Sequence, residues 1–257
     1  MIVILKSLEE IEKIRRSSQL IAKALTLIKE TAKPGVTTLR LNKLAEEFAY
    51  DSGAKPSFKG YLGYPYSICS SINEEVVHGM PSKRPLKETD VLSVDFGVVL
   101  DGYHGDSAIT FPIGKVSEET LRLIRVGQEC LYKGISQATS KNRIKDISCA
   151  IQEHAEKNSY SVVRKFVGHG VGRDLHENPQ VYNYCDDLKD RGLMLKVGMV
   201  LAIEPMITAG ASDVVIGTNN WTATTKDNKL AVHWEHTIAI TKDGPDILSI
   251  REEELHG

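Results

Sequence analysis

Val91-Leu-Ser-Val-Asp95-Phe-Gly-Val-Val-Leu100, Asp101-Gly102 and Tyr103-His-Gly-Asp106-Ser-Ala-Ile-Thr-Phe111 follow one another in the chain, and their reading decides the fold. Two β-rich runs flank a dipeptide that favours a two-residue hairpin turn. With that turn, Leu100 faces Tyr103 and Asp106 lies opposite Gly97. Asp95 is then two residues from Gly97 on the same strand and the same face. The two carboxylates become diagonal neighbours, with Cβ atoms about 7–8 Å apart or less. A carboxylate buried in an apolar strand is costly unless something pairs with it, and two ionised ones repel. A cation between them removes the repulsion, and Gly97 leaves room for one. Taken alone, the pair also has an ordinary reading, as a turn cap or a lysine partner.

The second half of the chain repeats the oddity. Glu204 follows Met199-Val-Leu-Ala-Ile203 and precedes Pro205, so it ends a buried strand, 109 residues after Asp95. Glu235 lies in Val232-His-Trp-Glu235-His-Thr-Ile-Ala-Ile240, again among apolar residues. Between them, Phe166-Val-Gly-His169-Gly-Val-Gly172 reads as a strand ending in a histidine whose flanking glycines open it to a ligand. The glycines lack the spacing of a dinucleotide loop. A lone histidine of this kind is more often structural. Together with four hard oxygen donors, however, an imidazole suits Mn, Fe, Co or Zn. Two such ions about 3.5–4 Å apart, sharing carboxylates, form a common hydrolytic centre.

Helices flank these strands. Ser7 with Glu10 reads as a capping box, and Leu8, Ile11, Ile14, Ile21, Leu25 and Ile28 recur at helical period until Pro34-Gly35. A second helix starts near Thr38, buries Leu41, Leu44, Ala45 and Phe48, and ends at Gly53. A loop rich in Gly, Pro and Tyr (residues 56–66) follows. Ser117 caps a third helix carrying Leu121, Ile124, Cys130, Leu131 and Ile135. A fourth runs from about Asn142, with Ile144, Ile147, Ile151 and Ala155 inward. Strand-like segments follow at residues 161–167, 199–203, 221–225 and 230–240. The order helix, helix, β-region thus occurs twice, with helix offsets of 105–110 residues. That predicts an α+β fold with internal pseudo-two-fold symmetry, although α+β chains also alternate by chance. No linker separates the halves, so one catalytic domain over 1–257 is expected, its halves about 1–115 and 116–257.

The chain has 257 residues, 41% hydrophobic and 26% charged, with formal net charge −2. Those values fit a folded soluble enzyme and give no electrostatic reason to expect sequence-specific nucleic acid binding. Cys69, Cys130, Cys149 and Cys185 form no Cys-x-x-Cys pair, so reduced thiols are expected. The N-terminal apolar run is too short for a signal peptide. No stretch reaches the ~20 apolar residues of a membrane span, and a cytoplasmic protein is expected.

Over its full length, Phe166-Val-Gly-His169-Gly-Val-Gly-Arg-Asp-Leu-His176-Glu-Asn-Pro-Gln-Val181-Tyr-Asn183-Tyr resembles the signature of type I, bacterial-type methionine aminopeptidases. Pro34-Gly35, Ser71-Ile-Asn73-Glu, His78-Gly79, Asp95-Phe-Gly, Gly105-Asp106, Ala202-Ile-Glu204-Pro, Trp221, Thr225-Lys-Asp227 and Glu235-His-Thr extend the resemblance from about residue 5 to residue 250. It implies the pita-bread fold and removal of the initiator methionine from nascent chains with a small second residue. Two divalent metals (Co, Mn, Fe or Zn) would be held by Asp95, Asp106, His169, Glu204 and Glu235, with Asp106 and Glu235 bridging. A metal-bridging water or hydroxide would attack the scissile carbonyl, and one metal would hold the free α-amino group. Glu204 would shuttle the proton, while His78 and His176 would bind the peptide and the tetrahedral oxyanion. Tyr61, Tyr64, Cys69, His78 and Trp221 would line the methionine pocket. Backbone oxygens near Asn73 and Ala231 would hold a monovalent cation. A monomer is expected, with the ribosome as a partner beside the nascent chain.

Phe58, Leu62 and Leu175 depart from residues common in bacterial members (Cys, His and Phe), which bears on pocket shape and inhibitor preference. Among rivals, an Xaa-Pro aminopeptidase or prolidase shares the fold and ligands but usually carries an N-terminal domain of on the order of a hundred residues. Here the first helix begins near residue 7. Type II methionine aminopeptidases insert a helical subdomain that residues 169–235 lack. A non-catalytic pita-bread protein would have lost ligands, and all five are present.

Overall fold

In a computed structural model, which describes residues 2–185 and 192–255, the chain runs twice through a helix pair followed by strands. The first passage is α1 (Leu8–Thr31), α2 (Thr38–Asp51), β1 (Lys55–Pro56), a 3-10 turn (Tyr61–Gly63), β2 (Ile68–Ile72), β3 (Glu75–Val77), β4 (Val91–Leu100) and β5 (Tyr103–Pro112). The second opens with α3 (Glu118–Ser136) and α4 (Ile144–Lys157). It continues through β6 (Ser161–Val162), β7 (Gly168–Gly170), β8 (Glu177–Val181), β9 (Val200–Ile203) and β10 (Met206–Thr208). It ends with β11 (Val214–Ile216), β12 (Ala223–Thr225), β13 (Ala231–His233), β14 (His236–Thr241), β15 (Gly244–Ile247) and a short 3-10 turn.

Local chemistry explains the helix starts. Glu10 N donates to Ser7 Oγ (3.3 Å) while Ser7 N donates to the Glu10 carboxylate (2.9 Å), which satisfies two otherwise unpaired amides. Thr37 and Ser117 cap α2 and α3 through their hydroxyls. The buried face of α1 carries Ile11, Ile14, Ile21, Leu25 and Ile28, but Leu8 on the first turn is 84% exposed. The packing surface begins one turn further along than periodicity suggests. Leu121, expected inward on α3, likewise lies at the surface.

The hairpin has the register its turn dictates: Leu100↔Tyr103, Gly97↔Asp106 and Asp95↔Ala108. Asp101 (φ 51°) and Gly102 (φ 77°) both adopt left-handed conformations, as such a turn requires. β4 pairs with β5 along one edge, and with β2 and β1 in succession along the other. A five-stranded antiparallel sheet, ordered β15-β14-β9-β7-β8, belongs to the second passage. One large apolar core includes Leu25 of α1, Phe96 of β4, Leu131 of α3, Ile151 of α4, Leu201 of β9 and Ile238 of β14. Both passages therefore contribute to the same core.

Three expectations need correction. The segment 161–167 is strand only at Ser161–Val162, and the run 230–240 is interrupted at Trp234-Glu235. There the amides turn to other partners, Trp234 N to Pro205 O (3.2 Å) and Glu235 N to Ala108 O (3.0 Å). Cys149 and Cys185, expected as free thiols, are joined in a disulfide, whereas Cys69 and Cys130 are free. Their 36-residue separation carries no local signal; folding brings α4 against the chain after β8. Among the described residues, no helix is long and apolar enough to cross a membrane.

Candidate metal centre

Strand ends and the break after β13 converge on one cavity of about 180 Å³. Asp95 and Asp106 enter it from the β4–β5 hairpin. Glu204 stands one residue past β9, and His169 sits on β7, paired with Ala202 of β9. Glu235 occupies the break. Its amide donates to Ala108 O (3.0 Å), and Ser107 Oγ donates to its carbonyl (2.7 Å). Asp106 is held in turn by Thr237, whose hydroxyl accepts from Asp106 N (3.1 Å) and donates to Asp106 O (2.7 Å).

The glycines around His169 serve a different purpose from the one expected. A Cβ on Gly168 would collide with Ala202 O, and one on Gly170 with the Asn178 backbone. They admit neighbouring strands, not a ligand. Nor is the space beside Gly97 vacant: a Cβ there would lie 2.9 Å from the Phe58 ring and 3.3 Å from Asp106 Oδ1. The glycine lets Phe58 and the Asp106 side chain lie across the strand.

Oxygen and nitrogen atoms of Asp106, His169 and Glu235 lie within 4.8 Å of one another. His169 Nε2 is 3.5 Å from Glu204 Oε1 and 3.9 Å from Asp106 Oδ2. His169 Nδ1 faces Gly170 O at 2.9 Å. A carbonyl can only accept, so Nδ1 carries the proton and Nε2 presents its lone pair to the cluster. Burial holds this imidazole neutral, its pKa lowered to about 3. The carboxylates move the opposite way. Burial raises Glu204 to about 8; burial, aided by the Glu204 charge and opposed by His233, raises Asp95 to about 7. Asp106 and Glu235 are pushed well above the carboxylate range by burial and then by their acidic neighbours. Asp95 Oδ1, Asp106 Oδ1 and Glu235 Oε1 are buried without a hydrogen-bond partner. Crowded acids, orphaned oxygens and a neutral imidazole with a free lone pair fit hard or borderline divalent cations.

The other wall is apolar. Phe58, Tyr64, Cys69 and Leu175 form a buried cluster with Tyr66, Met80 and Trp221 packed against it. The Tyr64 hydroxyl lies 3.0 Å from Ile68 O and 3.1 Å from Gly79 O, and its ring meets Trp221 edge-on at 5.0 Å. Cys69 pairs with Asp95 across β2–β4, and burial pushes its thiol pKa up. His78, at φ 57°, stands edge-on to Phe166 and is held neutral by burial, its pKa lowered to about 4. His176 Nδ1 lies 2.8 Å from the Tyr61 hydroxyl, and its ring meets that of His169 at 4.3 Å. Leu62 is 81% exposed at the rim.

Every residue expected at the site borders this cavity: the five acid and imidazole donors, then His78, His176, Tyr61, Tyr64, Cys69 and Trp221. Asn73 and Ala231 do not line it but adjoin one another, Ala231 N donating to Asn73 O (2.9 Å). A residue beside the cluster escaped the reading of the sequence. His233 is buried, its Nε2 has no hydrogen bond and lies 3.5 Å from Glu204 Oε2. Its place two residues before Glu235 in an apolar run was the available signal.

Residues 12–242 match the model of metallopeptidase family M24. A methionine aminopeptidase of Clostridium acetobutylicum is 50% identical over 251 residues, 97% of this chain and 100% of that protein. The crystal structure of a methionine aminopeptidase from Rickettsia prowazekii superposes with a TM-score of 0.94 at 40% identity, over 97% of this chain and 100% of that one. A prolidase from Pyrococcus horikoshii gives 0.79 at 24% identity and is covered over only 64% of its length, a likeness of fold alone. The chain belongs to metallopeptidase family M24, among its type I methionine aminopeptidases.

Proposed function

We propose that the chain is a metal-dependent aminopeptidase that removes the initiator methionine from nascent polypeptides with a small second residue. One observation carries the reading: a single cavity joins the acid and imidazole cluster to an apolar wall of Tyr64, Cys69 and Trp221. A flexible thioether suits such a wall. Asp95, Asp106, His169, Glu204 and Glu235 would hold two divalent ions, with Asp106 and Glu235 shared between them. Bound there, such ions would polarise the scissile carbonyl and make water a nucleophile at neutral pH.

The remaining chemistry belongs to side chains. Glu204, at the edge of the cluster beside His169, would take up a proton and return it to the departing amine. His78 and His176 face the space between the two walls as hydrogen-bond donors to the peptide. A donor aimed at a developing oxyanion contributes about 3–4 kcal/mol. The Tyr64 hydroxyl is engaged with backbone carbonyls, so its ring faces the methionine side chain. Phe58, Leu62 and Leu175 shape the rim, with consequences for inhibitor preference. Residues 1–257 act as one catalytic domain, its halves meeting near residue 115. The enzyme works as a cytoplasmic monomer on chains leaving the ribosome, and Asn73 and Ala231 offer backbone oxygens to a monovalent cation.

The test is titration of metal-free protein with Mn, Fe, Co or Zn against Met-Ala-Ser and an Ala-Pro peptide. Metal-dependent cleavage of Met-Ala-Ser is expected. Faster cleavage of the Ala-Pro peptide, or turnover indifferent to metal, would overturn the reading.

A further inference from the structure

His176 reaches the cavity from an exposed loop, with Arg173 and Asp174 open to solvent beside it. A donor on such a loop is pre-organised only if its supports are fixed. On one side the loop is tied to β5, Gly172 O accepting from His104 N (2.8 Å). On the other, Glu177 folds back: its Oε1 accepts from Arg173 N (2.9 Å) and from Asp174 N (3.4 Å). Its Oε2 takes the Lys6 ammonium in an ion pair whose side chains are only 3% and 5% exposed. Lys6 Nζ also donates to Ile4 O (3.1 Å), and Lys6 N to Gly198 O (2.7 Å). The segment ahead of α1 is thus attached both to the turn before β9, the strand leading to Glu204, and to the loop bearing His176. Gly172 makes the room, since a Cβ there would run into the Glu177 carboxylate and lie 2.7 Å from Lys6 Cε.

A buried ion pair is poor value as stabilisation, because well-packed apolar residues often do as well or better. What it can supply is geometry. We propose that Lys6 and Glu177 are positioning residues for His176, fixing the backbone of its loop while Tyr61 holds its ring. Neither lines the cavity, so both act through His176. The inference rests on the reading of His176 as a donor to the substrate. Misplacing a catalytic group by about 1 Å can cost ~10²-fold in rate.

Metal-loaded enzyme is assayed on Met-Ala-Ser. Lys6→Met and Glu177→Gln should each lower kcat by on the order of 10–10²-fold, with KM moving less than about 3-fold. Lys6→Arg should retain most of the turnover. In a His176→Ala background, Lys6→Met should add less than about 2-fold, because both changes act on one side chain. Lower Tm with unchanged kcat, or full multiplicative loss in the His176→Ala background, overturns the proposal. Wild-type turnover by His176→Ala alone would instead sink the reading of His176 itself, and the positioning role with it. If Lys6→Met fails to fold, Glu177→Gln carries the same comparison.

Discussion

The two halves of the molecule hold their acids by different means. Asp95 and Asp106 ride on one unbroken ladder that runs from Val91↔Pro112 to Leu100↔Tyr103. Glu204 stands just past a strand end, and Glu235 sits in a gap between two strands. Glu235 takes its place from the first half, through Ala108 O, Ser107 Oγ and the Thr237–Asp106 bonds. A local turn therefore builds the first pair, whereas docking builds the second. The cluster is complete only where the two halves meet.

If the acids of both halves serve one centre, removing either kind has the same consequence. Asp106→Ala and Glu235→Ala should each lower turnover by at least about 10³-fold, with circular dichroism and Tm preserved. Activity within tenfold of wild type in either variant would break the equivalence.

Charge crowding gives a second test, on metal-free protein. Burial raises the folded pKa of Glu204 to about 8, and burial, with the Glu204 charge beside it, raises that of Asp95 to about 7. Unfolded, these groups titrate near 4, so the folded chain binds more protons above that pH and stability falls as pH rises. Buried histidines such as His78 and His169 act in the opposite sense, but only below about 6.5. Tm should therefore fall between about pH 6.5 and 8, by roughly 2–4 °C for each kcal/mol lost. Saturating Mn should flatten that slope, and a flat metal-free profile would contradict the crowding.

The second half is also stapled by Cys149–Cys185, while Cys69 in the first half stays free. Thiol titration of denatured, unreduced protein should count two thiols, and four after reduction. Cys149→Ser should cost about 2–4 kcal/mol of stability; four thiols before reduction would remove this difference between the halves. The smallest effect is expected at the hairpin turn. Gly102→Ala, at φ 77° with open space around it, should cost about 1–2 kcal/mol and leave kcat unchanged. A fall in kcat would mean that the turn, and not the ladder beyond it, holds Asp95 and Asp106.

Legibility followed the same division. The Asp101-Gly102 turn, the Ser7 cap and the apolar stripe of α4 could be read directly, because each depends on residues a few positions apart. The break at Trp234-Glu235 could not, since the apolar pattern runs straight through it. Gly168 and Gly170 looked open to a ligand because the sequence does not show which backbone lies against them. His233 and Lys6 passed unnoticed for a related reason: each matters through one distant carboxylate, Glu204 or Glu177.

By itself, the order of amino acids determined the hairpin register and the repeated helix–helix–strand order, and it offered four carboxylates and one imidazole as candidate donors. Short-range sterics, hydrogen bonding and hydrophobic period suffice for those. Only the tertiary structure decided that the donors share one cavity and that Glu235 hangs from β5. It alone decided that Cys149 meets Cys185 and that Lys6 reaches Glu177. Each of these is an approach through space between segments tens to hundreds of residues apart, set by how both halves bury one common core.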